Sequence, residues 1–174
     1  TISLHMRTGL WGERHPQTGS PEEVGIGAGQ GANVNVELPA GSGDRAYTLA
    51  MRELVAPVLR EFAPGLIVGS CGQDASAFDP NGRQNVSMRG FREIGRVVGD
   101  AARELCDGRL VLVQEGGYAR TYAAYCLHAT LEGVLGEPEV LLEETLAYMP
   151  DDFTRARESV EAVQSALTRY WSVF

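Results

Sequence analysis

The chain has 174 residues, of which 44% are apolar and 22% are charged, a composition typical of one folded domain and not of a disordered segment. Its 15 basic residues against 23 acidic ones give a net charge of −8, and all of the basic ones are arginine. Schiff-base chemistry on a lysine of this chain is therefore excluded. A nucleic-acid partner is not expected, because the sequence contains no basic stripe.

Neither a membrane span nor a signal peptide is visible in the sequence, so we expect a cytoplasmic protein without a membrane partner. The three cysteines, Cys71, Cys106 and Cys126, are scattered and form no CxxC pair, which argues against a disulfide framework and a cysteine-based zinc site. The chain begins without methionine inside a β-like run. We therefore expect that an upstream segment has been cut off.

Four short runs rich in Val, Ile or Leu predict β-strands at residues 1–5, 33–38, 66–70 and 109–114. The last two are nearly continuous apolar runs, a pattern typical of parallel strands that are buried on both faces. Because helical patterns separate the later runs, the sequence predicts βαβ units and an α/β fold, a three-layer parallel sheet with helices on both faces.

Helical patterns are predicted at residues 45–62, 87–105, about 119–135 and 151–171. Ser42 or Asp44 can cap the first helix, Pro57 should kink it, and Ser87 is a suitable N-cap for the second. The last pattern carries apolar residues at spacings of three and four, so one face of this helix should pack on its own domain or, as an alternative, form a homo-oligomer contact. We expect residues 1–174 to be part of a single domain.

Two segments directly after the predicted buried strands carry the candidate chemistry, because ligands bind at the carboxyl ends of parallel strands. Asp74 follows the third run and could bind a metal ion, and Tyr118 follows the fourth and could donate a hydrogen bond to a developing oxyanion. From the residues alone, Asp74 could equally be a turn or cap residue.

Other candidate motifs are weaker. Residues 27–32 fit the letters of a dinucleotide-binding glycine motif, but they follow a polar loop and precede a strand, so nucleotide binding is not expected. The histidines His5, His15 and His128 lack the spacing of a helix-borne zinc site, and His128 is best explained as a satisfied or exposed helix residue. Asp74 thus has no good partner pair for zinc in this chain.

Four motifs in order resemble the carboxyl-terminal portion of the histone deacetylase and acetylpolyamine amidohydrolase family. They are Ser3-Leu4-His5, Gly31-Ala32-Asn33-Val34-Asn35-Val36, Gly72-Gln73-Asp74 followed by Asp79-Pro80, and Glu115-Gly116-Gly117-Tyr118. The last motif is most similar to the class II-like bacterial branch. The resemblance covers residues 1 to about 136 and implies the arginase/deacetylase-type fold.

The resemblance implies specific roles. Asp74 matches a zinc ligand and Tyr118 matches the tyrosine that binds the substrate carbonyl, while Ser3, through its hydroxyl, and Leu4, through its carbonyl, match a structural potassium site. The residues matching the acyl-lysine tunnel or its rim are Trp11, Pro80, Asn81, Gly116 and Gly117. The family's Asp-x-His zinc ligands and its histidine pair lie earlier in the chain and are absent here.

The implied function is a zinc-dependent amidohydrolase that removes an acyl group from an acetylated lysine or polyamine, of which this chain is an incomplete and by itself inactive piece. Two departures, Gln73 in place of an apolar residue and Asn81 in place of a rim leucine or methionine, bear on the substrate more than on the reaction. The alternatives are a non-catalytic binding or scaffold member of the same fold and a di-metal ureohydrolase. The second is weakened because only Asp74 qualifies as a ligand after a strand.

Overall fold

The computed structural model describes residues 1–6, 18–141 and 153–174. Its strands are β1 (Ile2–Met6), β2 (Val34–Leu38), β3 (Ile67–Cys71) and β4 (Leu110–Gln114). Its α-helices are α1 (Asp44–Ala50), α2 (Ala56–Phe62), α3 (Met88–Cys106), α4 (Arg120–Leu135) and α5 (Phe153–Leu167). Within these ranges, no helix is both long and apolar enough to cross a membrane.

The strands pair in parallel, as the sequence predicts. β1 pairs with β2 in the register Leu4↔Val36, and β3 pairs with β4 in the register Gly69↔Leu112. Because a parallel pair needs a crossover connection, α3 lies between β3 and β4 in the chain and packs against them through Ile67, Ala102 and their neighbours. The predicted α/β class is confirmed.

One face of the β3–β4 pair is exposed, although the sequence predicts burial on both faces. Val68, Val111 and Val113 are 62%, 47% and 44% exposed, whereas Ile67 on the opposite face is buried. The difference arises because α3 covers only the face that carries Ile67, and successive side chains of a strand point to opposite faces. No described element buries the valine face.

The predicted first helix is a continuous helical run with a distortion at Pro57. A π-helical segment, Met51–Val55, separates α1 from α2, and Pro57 lies in the first turn of α2. Proline has no N–H to donate and its ring crowds the preceding turn, so the widened π turn directly before it accommodates the ring. The expected disturbance therefore takes the form of a π bulge.

Ser87 caps α3 as predicted, but neither Ser42 nor Asp44 caps α1. The Ser87 hydroxyl accepts a hydrogen bond from the N–H of Gly90. Gly43 occupies the N-cap position of α1 without a side-chain bond, and Asp44, in the first turn, accepts hydrogen bonds from the N–H and the hydroxyl of Ser87 instead. Asp44 thus ties the start of α1 to the start of α3.

Glycines bring α3 and α4 into close backbone contact. A methyl group on Gly95 would overlap the carbonyl oxygen of Thr130, and one on Gly133 would overlap that of Arg92. At this distance a side chain of any size is excluded, so glycine is required on both helices. The close crossing holds the second half of α4 against α3, and α4 begins two residues after Tyr118.

The last helix packs on its own domain, as one of the two interpretations predicts. The buried residues of α5 join the main core together with β2, α1 and the π-helical segment; they are Ala156, Val160, Val163 and Leu167. The helix ends at Leu167 rather than at residue 171, and residues 151–152 of the predicted range lie outside the described residues. Trp171, beyond the helix end, donates a 2.8 Å hydrogen bond to the carbonyl of Gly31.

Candidate active site

The loops after β3 and β4 are joined by backbone hydrogen bonds. The N–H of Gln73 donates to the carbonyl oxygen of Gly116 over 2.8 Å, and the N–H of Glu115 donates to that of Cys71 over 3.3 Å. Because the two strands are parallel neighbours, both loops leave the same edge of the pair. The segments that carry Asp74 and Tyr118 are therefore brought together, as the sequence predicts.

Asp74 is exposed and lies against glycine backbone. A methyl group on Gly116 would overlap the carboxylate oxygen Oδ2, and one on Gly72 would lie 3.0 Å from Oδ1. The glycines of both motifs thus make room for this carboxylate. Asp74 caps no described helix, which leaves its oxygens available as ligands on the open side.

Tyr118 lies directly before α4 with its side chain 55% exposed. The preceding Gly117 has φ +135°, a backbone conformation that side chains rarely adopt, and this turn directs the chain from β4 into α4. The N–H of Tyr118 donates a 2.7 Å hydrogen bond to the Oδ2 oxygen of Asp79. An exposed phenol on an anchored backbone is suited to donating a hydrogen bond to a bound molecule.

Asp79 is a site residue whose place in a family motif is visible in the sequence, although no sequence pattern indicates its role. It is 8% exposed, and Oδ1 accepts hydrogen bonds from the N–H groups of Asn81 and Gly82, each at 2.8 Å. Burial pushes the pKa of Asp79 up, but the N–H groups of Gly82, Tyr118, Asn81 and Ala119 outweigh it and hold the pKa below its usual value. The sequence signal for the turn at Asp79 is an aspartate followed by Pro80-Asn81-Gly82, a composition typical of an Asx turn, in which the aspartate side chain accepts hydrogen bonds from the following N–H groups.

Gln73 and Gln114 form a second link between the two loops. Gln73 is 1% exposed; its Nε2 donates to the carbonyl of Cys71 over 2.9 Å, and its Oε1 accepts from Gln114 Nε2 over 3.3 Å. Gln114 Nε2 also lies 2.8 Å from the carbonyl oxygen of Glu115. The polar residue at position 73 is thus satisfied by hydrogen bonds inside the protein.

The nearby thiol of Cys71 is not a candidate nucleophile. It is half-buried, and burial raises the pKa of this thiol above its ordinary value despite a hydrogen bond from Gln73. A thiol with a raised pKa is protonated near neutral pH and is a poor nucleophile. The candidate chemistry of this edge therefore belongs to Asp74 and Tyr118.

Residues 1–134 match the family model described as the histone deacetylase domain. The chain is a member of the histone deacetylase family. It is 52% identical over 170 residues to "Histone deacetylase 8" of Arabidopsis thaliana, a match that covers 98% of this chain and 45% of the relative. It is 40% identical over 136 residues to "Histone deacetylase-like amidohydrolase" of Pseudomonas aeruginosa, covering 78% of this chain and 35% of the relative.

Solved histone deacetylase structures share the fold. The crystal structure of the HDA15 HD domain is 30% identical and superposes with a TM-score of 0.80, covering 99% of this chain and 44% of that one. This confirms the arginase/deacetylase-type fold that the motifs imply. The chain spans about half the length, or less, of the curated relatives it matches.

The remaining residues to which the family resemblance gives a role do not all lie at this edge of the β3–β4 pair. Pro80 and Asn81 are exposed in the turn that Asp79 closes, next to the Asp74 loop. Ser3 and Leu4 lie on β1, which belongs to the other strand pair, and the Ser3 hydroxyl is 2.9 Å from Nδ1 of His5. Trp11 lies outside the described residues.

The described residues of this family member do not build a complete metal site. Within residues 1–6, 18–141 and 153–174, no group of three or more His, Cys, Asp or Glu side chains could hold a metal ion. Asp74 can supply one oxygen ligand, whereas a catalytic zinc ion has three protein ligands. Because the Asp74 carboxylate is exposed, it can contribute to a metal site whose other ligands come from outside the described residues.

Proposed function

We propose that this chain carries one part of the active site of a zinc-dependent deacetylase that removes an acyl group from an acetylated lysine or polyamine. The observation that carries the proposal is the meeting of the Asp74 and Tyr118 loops at one edge of β3–β4. Relatives named deacetylase and amidohydrolase support the reaction class. Hydrolysis of an amide needs a site that activates water and stabilises an oxyanion, and these two residue types suit such a site.

The zinc ion would be held by Asp74 together with ligands from a part of the protein outside this chain. Two observations support this arrangement: Asp74 is a single exposed carboxylate, and the Arabidopsis relative is covered over only 45% of its length. When bound, zinc supplies an electrophile that polarises the amide carbonyl and lowers the pKa of water. The glycine backbone of Gly72 and Gly116 limits the positions that the Asp74 carboxylate can adopt.

The phenol of Tyr118 would donate a hydrogen bond to the substrate carbonyl oxygen as negative charge develops on it. Gly116 and Gly117 carry no side chains, so an extended aliphatic chain could lie close to the backbone beside the tyrosine. Pro80 and Asn81, exposed next to this position, would line the entrance. The family's structural potassium site, with Ser3 and Leu4, is part of the same proposal and lies on the other strand pair.

The test is Asp74→Ala in the longer protein that contains this chain. We expect zinc content and hydrolysis of an acetyl-lysine peptide or an acetylated polyamine to be lost together, because the remaining ligands no longer close the coordination sphere. Glu158→Ala is the control, since it also removes a carboxylate and the Glu158 side chain lies exposed on α5. Zinc retained near one ion per chain in Asp74→Ala would show that Asp74 is a turn residue and would overturn the proposal.

A further inference from the structure

A single buried carboxylate joins the two loops of the candidate active site. Asp79 accepts four backbone hydrogen bonds: Oδ1 from Asn81 and Gly82, at 2.8 Å each, and Oδ2 from Tyr118 at 2.7 Å and Ala119 at 3.4 Å. The first pair lies in the loop of Asp74 and the second lies at the start of α4. The side chain is 8% exposed, so water does not compete freely for these N–H groups.

The first pair of bonds places the turn against the Asp74 backbone. A methyl group on Gly82 would overlap the carbonyl oxygen of Asp74, so the segment that Oδ1 holds is packed directly on the residue assigned to zinc. The N–H of Asp79 itself donates to the carbonyl oxygen of Ser76 over 3.0 Å, which fixes the carboxylate to the same loop. Asp79 is therefore rigidly part of the Asp74 side of the site.

The second pair of bonds holds the start of α4. The N-cap residue of this helix, Ala119, has no side-chain cap of its own, and the Asp79 carboxylate takes up its N–H from across the site. A negative charge at this end of a helix is favoured by the helix dipole. Since hydrogen bonds to a charged acceptor are stronger than neutral ones, the backbone of Tyr118 is held more firmly than by an ordinary turn.

We propose that Asp79 is a positioning residue for catalysis, which sets the location of the Tyr118 phenol relative to Asp74 without touching substrate. This inference rests on the function proposed above. Displacement of a catalytic group by about 1 Å can lower the rate by roughly 10²-fold. A change at Asp79 should therefore act on turnover through Tyr118, while the Asp74 carboxylate stays in place as a ligand.

The test uses Asp79→Ala and Asp79→Asn in the longer zinc-loaded protein, each alone and combined with Tyr118→Phe. Alanine removes the acceptor, and asparagine keeps its size while removing the charge and turning an NH2 group toward one pair of N–H groups. We expect kcat to fall by roughly 10²-fold in Asp79→Ala and less in Asp79→Asn, with zinc content and KM nearly unchanged. In the Tyr118→Phe background, the same changes should lower kcat by less than about threefold.

A second measurement tests, independently of enzyme activity, whether Asp79 holds the backbone of Tyr118 and Ala119. Amide hydrogen exchange at Tyr118 and Ala119 should be faster in the Asp79 variants of the zinc-free protein, whereas the Asp107→Asn control, a change at an 87% exposed side chain, should leave it unchanged. If Asp79→Ala does not fold, the kinetic and exchange measurements on Asp79→Asn test the inference. Equal loss of kcat in both backgrounds, or unchanged exchange at Tyr118, overturns the inference. Full activity of Tyr118→Phe would also overturn it, because the phenol would then have no catalytic role to position. Absence of acetyl-lysine hydrolysis by the zinc-loaded wild-type protein, with faster exchange in the Asp79 variants, would instead overturn the proposed function and leave the anchoring of Tyr118 by Asp79 intact.

Discussion

The side-chain amide of Gln73 is buried between the two site loops, with its Oε1 3.3 Å from Nε2 of Gln114. Replacement of Gln73 by alanine should destabilise the protein by about 2–3 kcal/mol, because a cavity forms and the Cys71 carbonyl loses one of its two hydrogen-bond donors. Gln73→Met keeps the volume and should cost about 1 kcal/mol. Urea unfolding midpoints at unchanged m-value measure both, with exposed Gln30→Ala as the control. Equal midpoints for the alanine and methionine variants would contradict this account.

Tyr118→Phe in the longer protein should lower kcat by roughly 10²–10³-fold with zinc retained, because it deletes one hydrogen-bond donor and leaves the ring in place. Tyr125→Phe is a matched control on α4, since the Tyr125 side chain is also exposed, at 47%. The measurement is steady-state turnover of an acetyl-lysine substrate together with metal content. A wild-type kcat would remove Tyr118 from the mechanism, and reduced stability alone would identify it as a structural anchor.

The 174-residue chain alone should neither bind zinc tightly nor hydrolyse an acetyl-lysine reporter, because one carboxylate is too few ligands. Equilibrium dialysis with zinc and a fluorogenic assay on the refolded chain check this expectation, with the longer protein as the positive control. Stoichiometric zinc at sub-micromolar affinity in the isolated chain would contradict it.

The backbone contact between α3 and α4 predicts that Gly133→Ala is strongly destabilising. The added methyl group overlaps the carbonyl oxygen of Arg92, and relief requires the two helices to separate, at a cost of about 3 kcal/mol. Gly29→Ala is the control, because a Cβ there meets no atom within 4 Å. Thermal unfolding measures both, and a Gly133→Ala protein as stable as the control variant would mean that the helices do not meet in this way.

The environment of Glu132 predicts that the free energy of unfolding falls at acidic pH. Burial raises its pKa, but the N–H of Val140 and the guanidinium of Arg92, 2.8 Å away, outweigh it and hold the pKa of Glu132 below its usual value of 4.5. A carboxyl whose pKa is lower in the folded state stabilises the protein above its unfolded pKa, and this contribution is lost as the pH falls through the folded value.

The unfolding free energy should therefore fall below pH 5, and Glu132→Gln should be less stable at neutral pH with a shallower fall in acid. Urea unfolding between pH 6 and about pH 3 measures the two slopes. Glu158→Gln, a change at an exposed position of α5, is the control. A slope that Glu132→Gln leaves unchanged would assign the acid sensitivity to other carboxyl groups.

The sequence predicts the strands and the meeting of Asp74 with Tyr118 because these depend on local patterns. Continuous apolar runs mark β3 and β4, and parallel neighbours must end at the same edge, so the two loops meet without further information. The family motifs supply the order of the site segments. The roles of the individual residues at this site remain predictions.

The remaining features depend on contacts between residues far apart in the chain. Asp79 binds Tyr118 across 39 positions, and no periodicity reports such a pairing. The residue type and position of Asp44 predict a helix cap. In the structure, however, the carboxylate of Asp44 accepts two hydrogen bonds from Ser87, 43 positions away. The exposure of Val68 and its neighbours also follows from which elements cover a sheet, which an apolar run alone does not specify.

The attachment of α5 to β2 has a consequence for the order in which the chain folds. The indole N–H of Trp171 donates a hydrogen bond to the carbonyl of Gly31, 140 positions earlier in the chain. Val34 of β2 and Val163 of α5 belong to the same hydrophobic core. During synthesis, β2 emerges long before the helix that buries it, so its apolar face must stay exposed until residues 153–171 have left the ribosome. Contacts of such long separation slow folding and prolong the exposure of apolar surface, which makes the nascent chain a candidate client for chaperones.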